Sequence, residues 1–146
     1  QGVIDLRDAT GFPGMKILGF AFDSEEENDY LPHTYTKNCV VYTGTHDNDT
    51  LIGWFTKAKE KDKQFARDYL NSQTDDNIHW DAIRGAWSSV ANMAIAPIQD
   101  FLGLGSEARI NTPGVASGNW QWRLKDGVLS DELAERIAKL TKVYSR

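Results

Sequence analysis

Three short apolar runs set the tightest limit on how this chain can fold. They span residues 15–22, 39–42 and 93–98, and segments with helical periodicity separate them. Short, nearly continuous apolar runs are typical of strands that are buried on both faces, as in a parallel sheet covered by helices. The alternation of such runs with helical segments therefore predicts an α/β fold with a parallel sheet.

Helices are predicted before the first apolar run and after the second. Residues 3–8 suit the end of a helix, and two glycines and a proline within residues 10–14 provide its stop. The next helix is expected to begin at Asp49 or Thr50, since either side chain can cap it, and to continue through about residue 70. Its apolar side chains lie roughly on one stripe: Ile52, Phe55, Phe65, Tyr69 and Leu70.

Helical segments are also predicted on both sides of the third apolar run. Ile83, Trp87 and Val90 fall at the spacing i, i+4 and i+7, and their helix is expected to end near residue 91 or 92. A helical turn is expected at residues 99–105. Ser130 is predicted to cap a last amphipathic helix, with acidic residues in its first turn and basic residues toward its end.

Two polar segments are expected to be loops. Residues 23–30 are an acidic stretch, and residues 111–123 are rich in turn formers and too polar for a core strand. Long ordered loops usually serve a site. In the second loop, Trp120, Trp122 and Arg123 are expected to hold the loop in place.

Composition argues against several classes of protein. The net charge is −5, and the Lys and Arg residues are scattered, so nucleic acid is not an expected partner. No apolar run is long enough to span a bilayer, so no membrane interaction is expected. The single Cys39 cannot form an internal disulfide, which fits a reducing compartment and predicts a cytoplasmic location.

The length of the chain restricts its architecture. A (β/α)8 TIM barrel needs roughly 250 residues, and a βαβ unit roughly 30. Residues 1–146 can therefore hold, as one domain, about the last three βα units of such a barrel. A small open sheet that is complete in itself is the alternative. The start at Gln1, without an initiator methionine, is expected to be a cut in a longer chain.

The sequence Thr-His-Asp-Asn-Asp at residues 45–49 is the candidate site, because it directly follows the second apolar run. In barrels, catalytic groups lie at the carboxyl ends of strands. Asp47 offers an anionic acceptor for two neighbouring sugar hydroxyls, and His46 can donate a hydrogen bond beside it. Asn48 and Asp49 are expected to shape the loop and cap the next helix.

Two other interpretations of this loop remain open. Polar turns that contain Asp and Asn are common, so His46 can simply hold the loop together. A metal site of His46, Asp47 and Asp49 would need further ligands, and only His33 and His79 could add imidazoles, neither at ligand spacing. Neither a metal nor a cofactor is predicted.

Four motifs resemble the amylomaltase (disproportionating enzyme) family of 4-α-glucanotransferases. They occur in the order of that family and extend over nearly the whole chain. They are GFPGMKILGFAF at residues 11–22, YLPH at 30–33, VYTGTHDNDT at 41–50, and NTPG at 111–114 with GNWQWR at 118–123. Chance similarity does not account for four separate motifs in one order.

The resemblance implies a (β/α)8 barrel with three catalytic carboxylates. In that family an Asp nucleophile follows the fourth strand, a Glu acid/base the fifth, and a third carboxylate the seventh. Asp47 matches the third carboxylate and His46 its companion, both contacting the glucose at the cleaved position. The strands that begin near Met15, Val40 and Met93 would be the sixth, seventh and eighth. The nucleophile and the acid/base would lie upstream of this chain.

Further contacts and an activity follow from the same resemblance. Phe20 resembles an aromatic residue near the acceptor side that favours sugar over water, although a role as an ordinary core residue stays open. Asn111 and His33 are candidate secondary sugar contacts. The implied activity is transfer of α-1,4-glucan segments between maltooligosaccharides, without a cofactor.

The chain alone is expected to be inactive and to need the upstream part of the barrel. A non-catalytic carbohydrate-binding or structural fragment is the alternative, because two of the three carboxylates are missing. The remaining acids near the first helix and loop are interpreted as solvated surface: Asp5, Asp8, Asp23 and Glu25 to Glu27.

Overall fold

The computed structural model describes residues 1–23, 25 and 29–146. Within them, three parallel strands form one sheet: β1 (Gly14–Ile17), β2 (Cys39–Tyr42) and β3 (Met93–Ile95). Each strand pairs with the next one along the chain, in the order β1-β2-β3. This arrangement confirms the prediction of an α/β fold with a parallel sheet.

In the described part of the chain, six α-helices precede, connect and follow the strands. They are α1 (Gly2–Thr10), α2 (Leu51–Lys57), α3 (Glu60–Leu70), α4 (Ile78–Ser88), α5 (Ile98–Phe101) and α6 (Asp131–Val143). Thr50 caps α2, because its hydroxyl accepts a hydrogen bond from the N–H of Gly53. Ser130 caps α6 in the same way, by accepting from the N–H of Leu133. Both caps agree with the sequence prediction.

Only the beginning of the first apolar run, residues 15–22, forms a strand. Strand β1 ends at Ile17, and Leu18–Phe20 form a 3-10 turn instead of the predicted continuation to residue 22. The turn brings Leu18 and Phe22 into the core, where they are 0% and 2% exposed. A continuous apolar run fits a buried turn as well as a strand, which is why the sequence overestimates the strand.

Two predicted helix boundaries are wrong. The helix expected from residue 50 to residue 70 is two helices, because Ala58 and Lys59 adopt extended backbone between α2 and α3. Helix α4 ends at Ser88, so Val90 lies outside it and is 58% exposed. The hydroxyls of Ser88 and Ser89 donate to the carbonyls of the last turn and compete with further helix formation.

The third apolar run and its surroundings follow the prediction in part. Strand β3 covers Met93–Ile95, and Pro97 lies beyond it, directly before α5. The predicted turn at residues 99–105 is shifted, since Ile98–Phe101 are helical and Ser106–Ala108 form a separate 3-10 turn. Residues 111–123 contain neither helix nor strand, as expected.

The two faces of the sheet differ in burial within the described part of the chain. Cys39 and Val41 are 0% exposed and belong to the core that the helices complete. The register places Met15 and Met93 in one row across the sheet, and both are 54% exposed on the opposite face. The sheet is therefore covered on one face only among the described residues.

None of the described helices is both long enough and apolar enough to cross a membrane.

Candidate functional site

The Asp47 loop, residues 44–50, follows β2 and is held at both ends by one buried carboxylate. The hydroxyl of Thr43 donates to Oδ2 of Asp100 over 2.6 Å, and the N–H of Leu51 donates to Oδ1 over 2.9 Å. Asp100 is 2% exposed, and burial raises the pKa of its carboxyl, although the two hydrogen bonds act in the opposite direction. Asp100 thereby joins the end of the strand to the start of α2.

Asn48 and Asp49 organise the interior of this loop, as expected from their residue types. Oδ1 of Asn48 accepts from both the N–H and the hydroxyl of Thr45, each over 2.8 Å. Oδ2 of Asp49 accepts from Lys57 over 2.7 Å and from Ser106 over 2.8 Å. Burial alone would raise the pKa of Asp49, but these hydrogen bonds bring it below the ordinary aspartate value.

Asp47 lies at the surface of the loop with one carboxylate oxygen occupied. Its side chain is 48% exposed. The amide of Asn111 donates to Oδ1 over 2.5 Å, and Nη2 of Arg109 donates to the backbone carbonyl of Asp47 over 2.7 Å. Among the described residues, Oδ2 has no hydrogen-bond partner. Asp47 is therefore held in place while one oxygen remains able to accept hydrogen bonds from a ligand.

His46 lies beside Asp47 and against an aromatic ring. Its Nε2 is 3.4 Å from Oδ1 of Asp47, and its carbonyl accepts from the N–H of Asn111 over 3.1 Å. The centroid of the imidazole lies 5.1 Å from that of the Trp120 indole. The structure thus brings together His46, Asp47 and Asn111, three residues that the sequence analysis named.

Phe20 and His33 are not part of this cluster. Phe20 is 48% exposed and lies edge-on to Tyr30, with ring centroids 5.5 Å apart. Nδ1 of His33 lies 3.0 Å from the hydroxyl of Tyr69, which also accepts from the backbone N–H of His33. In the described part of the chain, no contact joins either residue to Asp47.

The long loop is held differently from the sequence prediction. Nη1 of Arg123 donates to the carbonyls of Trp120 and Trp122, each over 2.9 Å, so Arg123 does hold the loop. Trp120 does not act as a buried support, since it is 56% exposed and contacts His46.

Two residues of the site were not predicted at all. Arg109 links Asp47 to the long loop, because its Nε also donates to the carbonyl of Asn111 over 2.8 Å. Asp100 was expected only as part of a helical turn, although a carboxylate inside the mostly apolar stretch of residues 94–102 is a signal of a buried polar contact.

The other acids are placed at the surface where the structure describes them. Asp8 pairs with Arg7 over 2.6 Å, and Glu25 pairs with Lys61. Hydrogen bonding to Lys61 lowers the pKa of Glu25. Glu26 and Glu27 lie outside the described residues. Within the described ranges, no group of three or more His, Cys, Asp or Glu side chains is arranged to hold a metal ion.

Comparison with known proteins gives one consistent result. The model of a family described as 4-alpha-glucanotransferase matches residues 1–130. The 4-alpha-glucanotransferase of Clostridium butyricum is 53% identical over 100% of this chain and 30% of its own length. That of Thermus thermophilus is 46% identical over 97% of this chain and 30% of its own length.

A solved structure agrees with these relatives. The amylomaltase from Streptococcus agalactiae in complex with acarbose superposes with a TM-score of 0.95 at 33% identity, covering 100% of this chain and 30% of that one. The chain thus spans about 30% of the length of the proteins it resembles.

Proposed function

Because the chain belongs to the 4-alpha-glucanotransferase family, we propose that it is a segment of an enzyme that transfers α-1,4-glucan segments between maltooligosaccharides. The reaction is a retaining double displacement, in which the 4-hydroxyl of a second glucan, instead of water, resolves a glucosyl-enzyme intermediate. The complex of the related amylomaltase with acarbose supports an oligosaccharide as the ligand. The proposal includes no cofactor.

Strands β1, β2 and β3 are proposed to be the sixth, seventh and eighth strands of a (β/α)8 barrel, with residues 1–146 as its C-terminal portion. Three observations support this placement. The strands are parallel and consecutive, the described helices cover one face only, and the exposed face carries apolar side chains such as Met15, Met93 and Ile95. In a barrel, side chains on that face fill the interior.

The role of Asp47 rests on one observation, the hydrogen bond from Asn111 that leaves Oδ2 of Asp47 without a partner among the described residues. We propose that Asp47 accepts hydrogen bonds from the 2- and 3-hydroxyls of the glucose at the cleaved position, and that His46 makes a second contact with the same glucose. These interactions strengthen as the ring flattens toward an oxocarbenium-like state, so they lower the barrier more than they tighten the substrate complex. The nucleophile and the acid/base belong to the rest of the enzyme.

Phe20 and His33 are proposed to act outside this cluster. The exposed ring of Phe20, next to Tyr30, suits an acceptor-side surface that favours a sugar over water. His33 is a more distant sugar contact, because Tyr69 already engages its ring. A cytoplasmic location is supported by the unpaired, buried thiol of Cys39.

The test uses a chimera in which this chain replaces the equivalent segment of the Clostridium butyricum 4-alpha-glucanotransferase. We call this protein the reconstituted enzyme. It is expected to convert maltotriose into glucose and longer glucans. Asp47→Asn should lower kcat by about 10²- to 10³-fold with little change in KM, since the contact strengthens in the transition state.

The matched control is Asp76→Asn, on an exposed turn away from the loop, which should leave transfer unchanged. Near-normal glucan transfer by the Asp47→Asn variant would refute the role of Asp47. An inactive reconstituted enzyme would instead favour a non-catalytic, structural or carbohydrate-binding role for the segment.

A further inference from the structure

Trp120 combines three properties that holding a loop does not explain. Its backbone φ is 64°, in the left-handed region that a bulky side chain rarely occupies. Its side chain is 56% exposed instead of packed in the core. Its indole lies against the imidazole of His46, with ring centroids 5.1 Å apart and ring planes inclined by 39°. Unfavourable backbone conformations of this kind concentrate at functional sites.

The surrounding loop imposes this conformation. The N–H of Trp120 donates to the carbonyl of Ile110 over 2.7 Å, and its carbonyl accepts from Arg123 over 2.9 Å. The side chain of Asn119 bridges the loop by accepting from the N–H of Thr112 and donating to the carbonyl of Val115. Hydrogen bonds on both sides therefore keep the indole where it is.

The same loop also holds Asp47, through the neighbour of Ile110. Asn111 donates its side-chain amide to Asp47 and its backbone N–H to the carbonyl of His46. Trp120 and Asn111 thus approach the Asp47 loop together, one against the imidazole and the other against the carboxylate.

The His46 ring has little else to fix its orientation. Its side chain is 53% exposed, and the 3.4 Å from Nε2 to Asp47 is longer than a normal N–H···O hydrogen bond. In the described residues, neither ring nitrogen has a closer polar partner. An aromatic ring that packs against a neighbouring ring restricts the rotation of that ring.

We propose that Trp120 is a positioning residue for glucan transfer, a role that rests on the proposed function. Its indole fixes the orientation of the His46 imidazole beside Asp47. Trp120 acts through His46 and not by binding the sugar itself. Loss of the indole should therefore lower kcat, because a misoriented His46 imidazole makes weaker hydrogen bonds to the sugar, and these bonds form fully only in the transition state.

The first test measures orientation without using activity. The measurement is the NMR signal of the His46 imidazole in the reconstituted enzyme. This signal is identified by its absence from the spectrum of a His46→Gln variant. It should show a ring-current shift that disappears in Trp120→Gly and persists in Trp120→Phe. An unchanged His46 resonance in Trp120→Gly would overturn the proposal, whether or not the reconstituted enzyme transfers glucan.

The second test measures transfer from maltotriose. Trp120→Gly should lower kcat by about ten- to a hundredfold with KM within about threefold, and Trp120→Phe should restore most of the loss. Glycine adopts positive φ without strain, so the melting temperature of Trp120→Gly should not fall. The Gly variant therefore separates loss of the ring from loss of the fold.

The third test is a double-mutant cycle. Trp120→Gly should have little further effect in a His46→Gln background, since the indole then has no imidazole to orient. Fully multiplicative effects on kcat, or a Trp120→Gly variant that changes only KM, would show that Trp120 acts independently of His46.

Discussion

The side-chain amide of Asn111 donates a hydrogen bond of 2.5 Å to Oδ1 of Asp47, across 64 positions of the chain. The family resemblance predicts that Asn111 is a secondary sugar contact. In the structure its amide occupies one oxygen of the carboxylate and leaves the other without a partner among the described residues. Asn111 is therefore a direct partner of Asp47, and its role as a sugar contact stays a prediction.

Removal of this partner should reduce transfer. A hydrogen bond to a charged group contributes about 1.5–3 kcal/mol, so Asn111→Ala should lower kcat/KM of the reconstituted enzyme by about ten- to a hundredfold. Asn111→Asp would place two carboxylates together and move the acidic limb of the pH–rate profile to higher pH. The control is Asn92→Asp at an exposed position; an equal shift in that variant would contradict the specific pairing.

Gly53 should not tolerate even alanine. A Cβ at this position would lie 2.5 Å from Oγ of Ser106 and would also overlap the carboxylate of Asp49. Gly53→Ala should therefore destabilise the reconstituted enzyme by about 1–3 kcal/mol in chemical denaturation. Gly2→Ala is the control, since its Cβ would meet no atom within 4 Å. Equal stability of the two variants would argue against the tight packing around Asp49.

The pH dependence of stability should report on Asp49. Its pKa is lowered in the folded protein, so its contribution is present above the ordinary aspartate pKa and is lost as pH falls through the folded value. Asp49→Asn should therefore melt at a lower temperature at neutral pH and lose less stability than the wild type below about pH 4. The melting temperatures of wild type, Asp49→Asn and the control Asp76→Asn are measured from pH 3 to pH 7. If the melting temperatures of wild type and Asp49→Asn change in parallel with pH, Asp49 does not contribute to the pH dependence of stability.

Phe20 should influence the fate of the intermediate. Loss of its exposed ring would open the acceptor side to water, so Phe20→Ala should raise the ratio of hydrolysis to transfer several-fold. The measurement compares reducing ends with chain-length redistribution from maltotriose. Phe12 is also exposed, at 67%, and Phe12→Ala should leave the ratio unchanged. An unaltered ratio in Phe20→Ala would assign Phe20 to local packing with Tyr30.

The isolated chain should fold poorly and show no turnover. Met15, Met93 and Ile95 expose an apolar sheet face, and β1 and β3 each have an unpaired edge within the described sheet. Sedimentation should show association, thermal melting should be broad, and maltotriose should remain unchanged. A sharp melt of a monomer would disprove this expectation.

The local parts of the fold were predictable from sequence. The β-branched run at residues 39–42 matches β2, and the capping residues Thr50 and Ser130 match the observed caps, because short-range chemistry decides each of them. The turn at Leu18–Phe20 was not predictable, since its apolar residues suit a strand equally well.

The site was predictable only where a motif marks it. His46 and Asp47 are found through their position after a strand and through the family resemblance. Arg109 and Asp100 act on backbone groups far away in sequence, and such contacts leave no periodicity or spacing to detect. The orientation of Trp120 depends on a positive φ that its residue type disfavours.

The order β1-β2-β3 also implies a sequence of events during folding. The connection from Ile17 to Cys39 is shorter than the connection from Tyr42 to Met93, which contains α2, α3 and α4. The entropic cost of closing a loop grows with its length, so the β1–β2 pair should form first, and β3 should join after α2, α3 and α4 have condensed. Amide protons of β2 that bond to β1 should accordingly become protected from exchange before those of β3.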